Sequence, residues 1–378
     1  MTEQVTMVYC NWAATSPRKL YGSRDESGTA LIRSGLSPTE LTIGLREKAA
    51  KLFNFPYPMR VILGAGCTDL LNKLILGYMT GRTGRVVTTA LEHNSVLRPL
   101  HYLARRQGVE AVFVEPEDDG RVDPGRFAAA IDRNTALAVL THASNVTGVI
   151  QPVGEIAAAA RARGVPLIVD CAQTAGLLDI DASRLDAGAL VFSTHKALMG
   201  PSGFGMALMA KGFDVEPVIT GGSGIRSDLE RQPDDYPWKL EAGTPHYEAV
   251  EKTGDCLDYF LSHPPGPRFE KLAVMAGALS DELASIKGVT VTGRSGAKKL
   301  PVVNILIDGF DPDEIGYILY HIHGVITRPG LHCTPMTHRG LGTFPLGTVR
   351  VSVGHDSTPD DCARLVDAMK SIAAGGAR

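Results

Sequence analysis

A lysine stands at the end of an apolar segment of this chain. Residues 189–196 read "ALVFSTHK", and the glycine-rich stretch "ALMGPSGFG" follows. Lys196 comes directly after Ser193, Thr194 and His195. Because a lysine is ordinarily placed in water, one that ends a strand-like run needs a specific explanation.

Polar side chains also follow other apolar runs. The segments concerned are "GAGCTD" (64–69), "ALEHNS" (90–95), "THASNVTG" (141–148), "DCAQ" (170–173) and "STHK" (193–196). Together they offer the groups that a planar, anionic, nitrogen-containing cofactor would require. Each segment alone also has an ordinary structural interpretation.

The segment "GAGCTD" is only a weak match to a dinucleotide-binding fingerprint. Asp69 occupies the position of the third glycine, and an isolated match of this kind is not specific. A helix that begins here would present free N–H groups to a phosphate. A phosphate site and an ordinary strand-to-helix turn therefore both remain open.

Single residues at these positions are equally open to two interpretations. Asp170 either ends its strand as an exposed or paired carboxylate, or pairs with a protonated ring nitrogen. His93 and His195, each taken alone, are typical of ordinary structural histidines. Cys333 lies in a loop rich in glycine and proline, where a thiol is either inert or reactive.

The elements that carry these residues alternate between two kinds. Between Pro58 and about Ala210, apolar runs rich in Val, Ile and Leu are separated by helix-like stretches, which predicts a mainly parallel sheet covered on both faces. Functional groups are expected at the carboxyl ends of such strands. The predicted strands are "MRVIL", "RVVTT", "EAVFVEP", "ALAVLTH", "VPLIVD" and "ALVFSTH".

A second unit follows the segment "LSHPPGPRFEK". The predicted strands "VTVTG", "PVVNILIDG" and "GTVRVSVG", with the predicted helices "DPDEIGYILYHIHG" and "TPDDCARLVDAMKSIAA", indicate a small α+β domain. We therefore expect a large domain at 21–255 and a small C-terminal domain at 256–378. Residues 1–20 are expected to pack with the small domain.

Composition excludes several classes of protein. The chain has 378 residues, 44% of them hydrophobic, and a net charge of −3, so it can form a large core and lacks a basic surface for nucleic acid or membrane. No apolar run approaches the ~20 residues that span a bilayer. The six cysteines show no CxxC or metal-ligand spacing, which predicts free thiols, no metal site and a cytoplasmic location.

In chain order, these segments resemble a known family. The matching pieces are "GAGCTDLLN", "EHNSVLRPL", "HASNVTGVIQPV", "VDCAQTAG", "FSTHKALMGPSGFG", "EAGTP", "RPGLHC" and "GTVRVSVG". They resemble the pyridoxal 5'-phosphate (PLP) enzymes of fold type I, in the class V aminotransferase group that contains the cysteine desulfurases and selenocysteine lyases. The resemblance implies a mainly parallel seven-stranded sheet in a large domain, a small α+β domain, and a homodimer with shared active sites.

The resemblance also implies three catalytic residues. Lys196 would bond to the cofactor aldehyde and move protons at the substrate α-carbon. His93 would stack on the pyridine ring. Cys333 would accept the substrate sulfur, and nearby His332 is expected to favour its thiolate.

A set of cofactor-binding residues follows from the same resemblance. Thr68, Ser193 and His195 would hold the phosphate, and Asp170 would pair with the ring nitrogen. The complete implied set is Cys67, Thr68, His93, Asn145, Asp170, Gln173, Ser193, His195, Lys196 and Thr244.

The remaining implied roles concern the phenolic oxygen, the neighbouring subunit and the substrate. Gln173 and Asn145 would steer the phenolic oxygen of the cofactor, and Thr244 would reach the phosphate bound by the neighbouring subunit. The substrate would be bound by Asn145, Arg328 and Arg350, with Arg350 clamping its carboxylate.

Two segments depart from the family pattern. The usual D-N-A-A-T opening is replaced by "CNWAATS", with Asn11 and Trp12, and "GLHCTP" stands where G-H-H-C-A is more usual. The indole of Trp12 near the entrance predicts an altered substrate pocket.

Three functions are compatible with the pattern. The first is a cysteine desulfurase or selenocysteine lyase with Cys333 as nucleophile, a small-molecule amino acid as substrate and a sulfur-acceptor protein as a candidate partner. The second is a carbon-sulfur lyase, or another class V reaction on a cysteine S-conjugate in a biosynthetic pathway, in which Cys333 is a bystander. The third is a catalytically silent scaffold, against which the joint presence of Lys196, Asp170 and Arg350 argues.

Overall fold

The computed structural model describes residues 7–20 and 37–375. The helices are α1 (Pro38–Leu52), α2 (Cys67–Met79), α3 (Asn94–Gln107), α4 (Pro124–Ala130), α5 (Val153–Arg161), α6 (Ala182–Leu185), α7 (Tyr247–Ser262), α8 (Gly266–Ala284), α9 (Pro312–His321), α10 (Pro335–Gly340) and α11 (Pro359–Gly375). The strands are β1 (Val8–Tyr9), β2 (Val61–Gly64), β3 (Arg85–Thr89), β4 (Glu110–Val114), β5 (Thr135–Thr141), β6 (Leu167–Asp170), β7 (Ala189–Ser193), β8 (Gly205–Met209), β9 (Val289–Thr292), β10 (Val302–Ile307), β11 (Val325–Ile326), β12 (Arg328–Gly330) and β13 (Thr348–Ser352).

A seven-stranded sheet forms the centre of the first unit, in the order β2-β8-β7-β6-β5-β3-β4. β4, β3, β5, β6 and β7 pair in parallel, whereas β8 runs antiparallel to both of its neighbours, β2 and β7. The predicted mainly parallel seven-stranded sheet is therefore confirmed. All six strands predicted between Pro58 and Ala210 form; β8 is an additional strand.

Helices cover both faces of this sheet, as the apolar runs predict. Successive residues of β6 point to opposite faces: Val169 packs into one core and Ile168 into the other. The first core includes residues of α1, α5 and α7, and the second includes residues of α2 and α3. Burial on both faces explains why these strands read as continuous apolar runs.

The second unit is built on an antiparallel sheet in the order β12-β13-β10-β9. Apolar residues of α8, α9 and α11 pack together with this sheet in one core. The short strand β1 pairs in parallel with β11, and Val8 and Cys10 are buried in the same core. Residues 7–10 thus contact the second unit directly.

The division between the two units is marked by the change from α7 to α8. Residue 255 lies inside α7, whose buried Leu257 and Phe260 pack beneath the large sheet. Leu272 and Leu279 of α8 pack instead in the core of the small sheet. We therefore propose a division at residues 263–265 rather than at 255. The parts of the predicted segments at 1–6, 21–36 and 376–378 lie outside the described residues.

The described residues form neither a membrane-spanning helix nor a cluster of metal ligands. Within residues 7–20 and 37–375, no helix has the length and apolar character needed to cross a bilayer. The same residues contain no group of three or more His, Cys, Asp or Glu side chains arranged to hold a metal ion.

A buried ion pair fastens the segment before α7 to the large unit. Arg46 of α1 donates to both carboxylate oxygens of Glu241, at 2.9 and 2.7 Å, and the backbone N–H of Leu63 donates to Glu241 at 2.6 Å. The two charged side chains are 4% and 12% exposed. This pair therefore holds the segment against β2, close to the turn that leads into α2.

The substitution Glu241→Gln should lower the free energy of unfolding by about 3 kcal/mol, because it leaves the buried Arg46 without a charged partner. Urea unfolding of the apoprotein measures the change. The matched control is Asp258→Asn, which removes an exposed pair with Lys48 and should cost less than about 1 kcal/mol. Equal losses in the two variants would contradict a special contribution from the buried pair.

Candidate active site

The turn between β2 and α2 is shaped to receive an anion. Gly66 caps α2 with φ +119°, a backbone conformation that a side chain would strain. The next N–H, that of Cys67, donates to Ser193 Oγ at 2.8 Å, which brings the end of β7 to the start of the helix. Thr68 is exposed in the first turn. A hydroxyl group and the positive end of a thirteen-residue helix thus meet at one point.

His195 follows Ser193 by two residues and has a buried nitrogen without a partner among the described residues. Its Nδ1 is buried and has no hydrogen-bond partner in the described part of the chain. Burial, and then the neighbouring Lys196 and Lys19, lower the pKa of His195 to about 4. The His195 carbonyl accepts from Ser16 N at 2.9 Å, so the N-terminal segment holds this peptide in place. A bound anion would satisfy the free nitrogen.

Lys196 lies in a cluster of mixed charge. Burial lowers its pKa, an effect that Asp170 and Cys67 oppose. The lowered pKa increases the fraction of neutral amine, which is the form that attacks an aldehyde. The side chain therefore meets the electrostatic requirement for a nucleophilic lysine.

The carboxylate of Asp170 is held from one side. Its Oδ1 accepts from Ala172 N at 2.8 Å and from the Cys67 thiol at 3.4 Å. Burial, followed by the Asp170 charge, raises the pKa of Cys67 well above its ordinary value, so Cys67 remains a thiol donor. Asp170 itself is 6% exposed at the end of β6. One carboxylate oxygen is thus fastened to the protein by two donors.

His93 is fixed as the N-cap of α3. Its Nδ1 accepts from Ser95 N at 3.0 Å, which assigns the remaining ring proton of the neutral form to Nε2. Burial, and then Lys196, lower the pKa of His93 to about 4. The imidazole is therefore neutral at pH 7 and held in a defined orientation.

The two residues expected near a phenolic oxygen are both anchored elsewhere. Gln173 donates through Nε2 to Ala13 O at 3.0 Å. Asn145 donates through Nδ2 to His332 O at 2.8 Å and accepts from Thr334 Oγ1 at 2.7 Å. Asn145 is thereby joined to the loop that carries Cys333.

Arg350 is a buried cation whose Nε is a buried donor without a partner among the described residues. Its Nη1 donates to Asn145 O at 3.0 Å, whereas its buried Nε has no partner within the described residues. Burial, and then the charge of Arg328, lower the pKa of Arg350 to about 9. Arg328 lies directly opposite Arg350 in the β12-β13 ladder, so both side chains leave the same face of the sheet. This arrangement suits a carboxylate.

Cys333 is exposed, unlike the other five cysteines, which are buried. Cys333 opposes the lowering of the pKa of Lys196 and of Arg350, which places it within electrostatic range of both groups. A free thiol thus lies within that range of Lys196, which was predicted from a strand end, and of Arg350, which the resemblance implied.

The expectation that His332 favours the Cys333 thiolate is wrong, because the ring carries no positive charge. His332 Nε2 donates to Arg328 O at 2.8 Å, so its Nδ1 must accept from His338 Nε2 at 3.2 Å. Burial, and then Arg350, lower the pKa of His332 to about 3. The imidazole is neutral and engaged with these two groups, so it supplies no positive charge for the Cys333 thiolate.

Thr244 is a predicted site residue that is not bonded to the other site residues. It is exposed, and within the described residues it makes no hydrogen bond to this cluster. Its position on the surface is that of a group available to another molecule.

The structure adds Glu92 to the site, which the sequence interpretation passed over. Glu92 Oε1 accepts from Thr89 Oγ1 at 2.7 Å and Thr141 N at 2.9 Å, while its buried Oε2 has no partner among the described residues. Burial raises its pKa to about 8. Its place in "ALEHNS", beside His93, was the signal that could have found it.

The chain is similar to proteins of known family along most of its length. A family model for aminotransferase class-V matches residues 30–365. The chain is 29% identical to a probable cysteine desulfurase of Methanothermobacter thermautotrophicus, over 88% of this chain and 83% of that protein. It is 30% identical to a cysteine desulfurase of Haloferax volcanii, over 82% of this chain and 73% of that protein.

Solved structures give the same result for the fold. The apo cysteine desulfurase of Thermococcus onnurineus NA1 aligns with a TM-score of 0.85 and 25% identity, over 98% of this chain and 95% of that one. The cysteine desulfurase CsdA of Escherichia coli aligns with a TM-score of 0.85 and 24% identity, over 97% and 94%. The fold expected from the resemblance is confirmed, and the chain belongs to the aminotransferase class-V family.

Proposed function

We propose that this protein is a cysteine desulfurase, which converts L-cysteine to L-alanine and leaves the sulfur on Cys333 as a persulfide. The observation that carries the proposal is the exposed thiol of Cys333, whose loop is bonded to Asn145, the same residue that accepts from Arg350. The names of the relatives support the same reaction. L-Selenocysteine is the alternative substrate for the same groups.

The residues present fit PLP as the cofactor. Its phosphate would meet the α2 N-terminus, Thr68, Ser193 and the free Nδ1 of His195. The unfastened oxygen of Asp170 would face its ring nitrogen, and the neutral ring of His93 would stack on it. When bound, PLP supplies an aldehyde for an amine and a ring that takes up electrons from the substrate α-carbon.

Lys196 acts as the amine that holds the cofactor and then as the base at the substrate α-carbon. Its lowered pKa makes the neutral form more accessible than in an ordinary lysine. An arginine at this position would stay protonated and could do neither. Gln173 and Asn145 are proposed to lie near the phenolic oxygen of the cofactor. The amide groups that are not bonded within the protein would face that oxygen.

Arg350 binds the substrate carboxylate. Its free Nε and remaining guanidinium N–H groups can donate to two carboxylate oxygens, and this contact supplies the acceptor that the buried nitrogen lacks. Arg328, which lies opposite Arg350 on the same face of the small sheet, adds positive charge next to it.

Cys333 receives the sulfur. Its thiolate Sγ bonds to the substrate sulfur while the carbon-sulfur bond breaks, and the electron pair of that bond stays with the substrate β-carbon, which then takes up a proton. The overall change is L-cysteine plus Cys333 thiol to L-alanine plus Cys333 persulfide, so no outside oxidant is required. An exposed persulfide can next be attacked by a thiol of an acceptor protein, the proposed partner.

The six free cysteines agree with a reducing, cytoplasmic setting.

We also propose a homodimer in which Thr244 of one subunit donates to the phosphate held by the other. Its exposure, together with the rigid anchoring of Glu241 three residues earlier, supports a hydroxyl presented to a second copy.

Replacing Cys333 by serine should reduce alanine formation from L-cysteine by more than about a hundredfold, because the nucleophile is lost. Alanine, pyruvate and ammonia are measured together, with L-selenocysteine and S-substituted cysteines offered in parallel. Cys362→Ala, on α11, is the matched control and should keep its activity. Unchanged turnover in Cys333→Ser with pyruvate and ammonia as products would instead indicate a carbon-sulfur lyase.

Lys196→Arg should abolish covalent retention of PLP. The protein is treated with borohydride and then unfolded, and absorbance that stays with the polypeptide reports the bond between cofactor and lysine. Wild type and the exposed-site control Lys48→Arg should both retain the cofactor. Retention by Lys196→Arg would mean that another amine holds it.

Hybrid dimers test whether Thr244 acts across the interface. A dimer of one Lys196→Arg chain and one Thr244→Ala chain should contain one site with wild-type cofactor affinity, because the intact lysine and intact threonine then serve the same site. Thr244→Ala homodimers should bind PLP about tenfold more weakly. A hybrid with no wild-type site would show that Thr244 acts within its own subunit.

A further inference from the structure

Three consecutive residues around Cys333 are fastened to the large unit. His332 O accepts from Asn145 Nδ2 at 2.8 Å, Cys333 O accepts from Asn94 N at 2.8 Å, and Thr334 Oγ1 donates to Asn145 Oδ1 at 2.7 Å. Thr334 is fully buried. The thiol-bearing residue is therefore held on both sides by contacts from another part of the fold.

The backbone at this point requires such support. His332 has φ +52° and Cys333 has φ +60°, and this left-handed region is unfavourable for residues with a Cβ atom. Two such residues in succession persist only where surrounding contacts determine them. The bonds from Asn145 and Asn94, together with those of the His332 ring to Arg328 O and His338, hold this conformation.

Asn145 bonds both to the loop that carries Cys333 and to Arg350, the residue proposed to bind the substrate carboxylate. Its side chain binds His332 and Thr334, and its backbone carbonyl accepts from Arg350 Nη1 at 3.0 Å. The backbone that carries the Cys333 thiol is thus held by the same residue that bonds to Arg350. A substrate bound through its carboxylate would meet a thiol in a defined place.

We propose that Thr334 is a positioning residue for sulfur transfer, and that its hydroxyl acts through Asn145 to hold Cys333 in the orientation that receives the substrate sulfur. This inference rests on the proposed function of Cys333. Thr334 occupies a position where the family pattern that the chain resembles more usually has alanine, which has no hydroxyl to make this bond.

The test compares Thr334→Val, which keeps the shape and removes the hydroxyl, with Thr334→Ser, which keeps the hydroxyl. In Thr334→Val, the kcat for alanine formation should fall about tenfold or more, because a displaced reacting group is costly. The KM for L-cysteine and the exchange of the substrate α-proton with solvent deuterium should stay within about twofold, since those steps do not use the thiol. Thr334→Ser should resemble wild type.

A second readout needs neither substrate nor cofactor. The rate of Cys333 alkylation by iodoacetamide in Thr334→Val should rise about fivefold, the effect of losing one hydrogen bond that holds the thiol loop. The control is Thr337→Val in α10, whose lost hydroxyl bonds to Ala90 O rather than to Asn145, and which should leave both readouts unchanged. Thr334→Ala replaces Thr334→Val if the latter does not fold.

Two results would overturn the proposal. One is a variant without the hydroxyl that keeps wild-type kcat and alkylation rate. The other is an equal loss of kcat and α-proton exchange, which would indicate general damage to the site. Failure of the proposed function is separately recognisable, because Cys333→Ser would then turn over at the normal rate with pyruvate and ammonia as products.

Discussion

The parallel register of β5, β6 and β7 is the constraint on which the site depends. Thr141 pairs with Asp170, and Asp170 pairs with Val191, so these strands end at nearly the same level. Residues that follow them in the chain are therefore brought to one edge of the sheet. Asp170 and Lys196 become neighbours although they are distant in sequence, because the sheet aligns the ends of their strands.

The second unit supplies the site residues that the edge of the large sheet does not. The large unit supplies an amine, a carboxylate and an anion site, whereas Arg350 and Cys333 come from the small sheet and its loop. Asn145 connects the two halves through its side chain and its carbonyl. Packing between units therefore decides the distance from thiol to lysine, and movement of either unit would alter it.

Burial gives the site its electrostatic character. It lowers the pKa of His93 and His195 to about 4, so both rings are neutral at pH 7 and act as hydrogen-bonding or stacking groups. The guanidinium groups of Arg328 and Arg350 add positive charge to the same site. Arg350 keeps an unsatisfied buried donor, which an anionic substrate would relieve.

The sequence by itself determined the apolar strands, the polar residues at their ends and the family pattern. These depend on local composition and on chain order, so they can be read without coordinates. Only the tertiary structure decided that β8 enters between β2 and β7, that His332 turns toward His338, and that Thr334 meets Asn145. Such contacts join residues up to 189 positions apart, and their geometry follows from how packed elements approach one another, which no local pattern encodes.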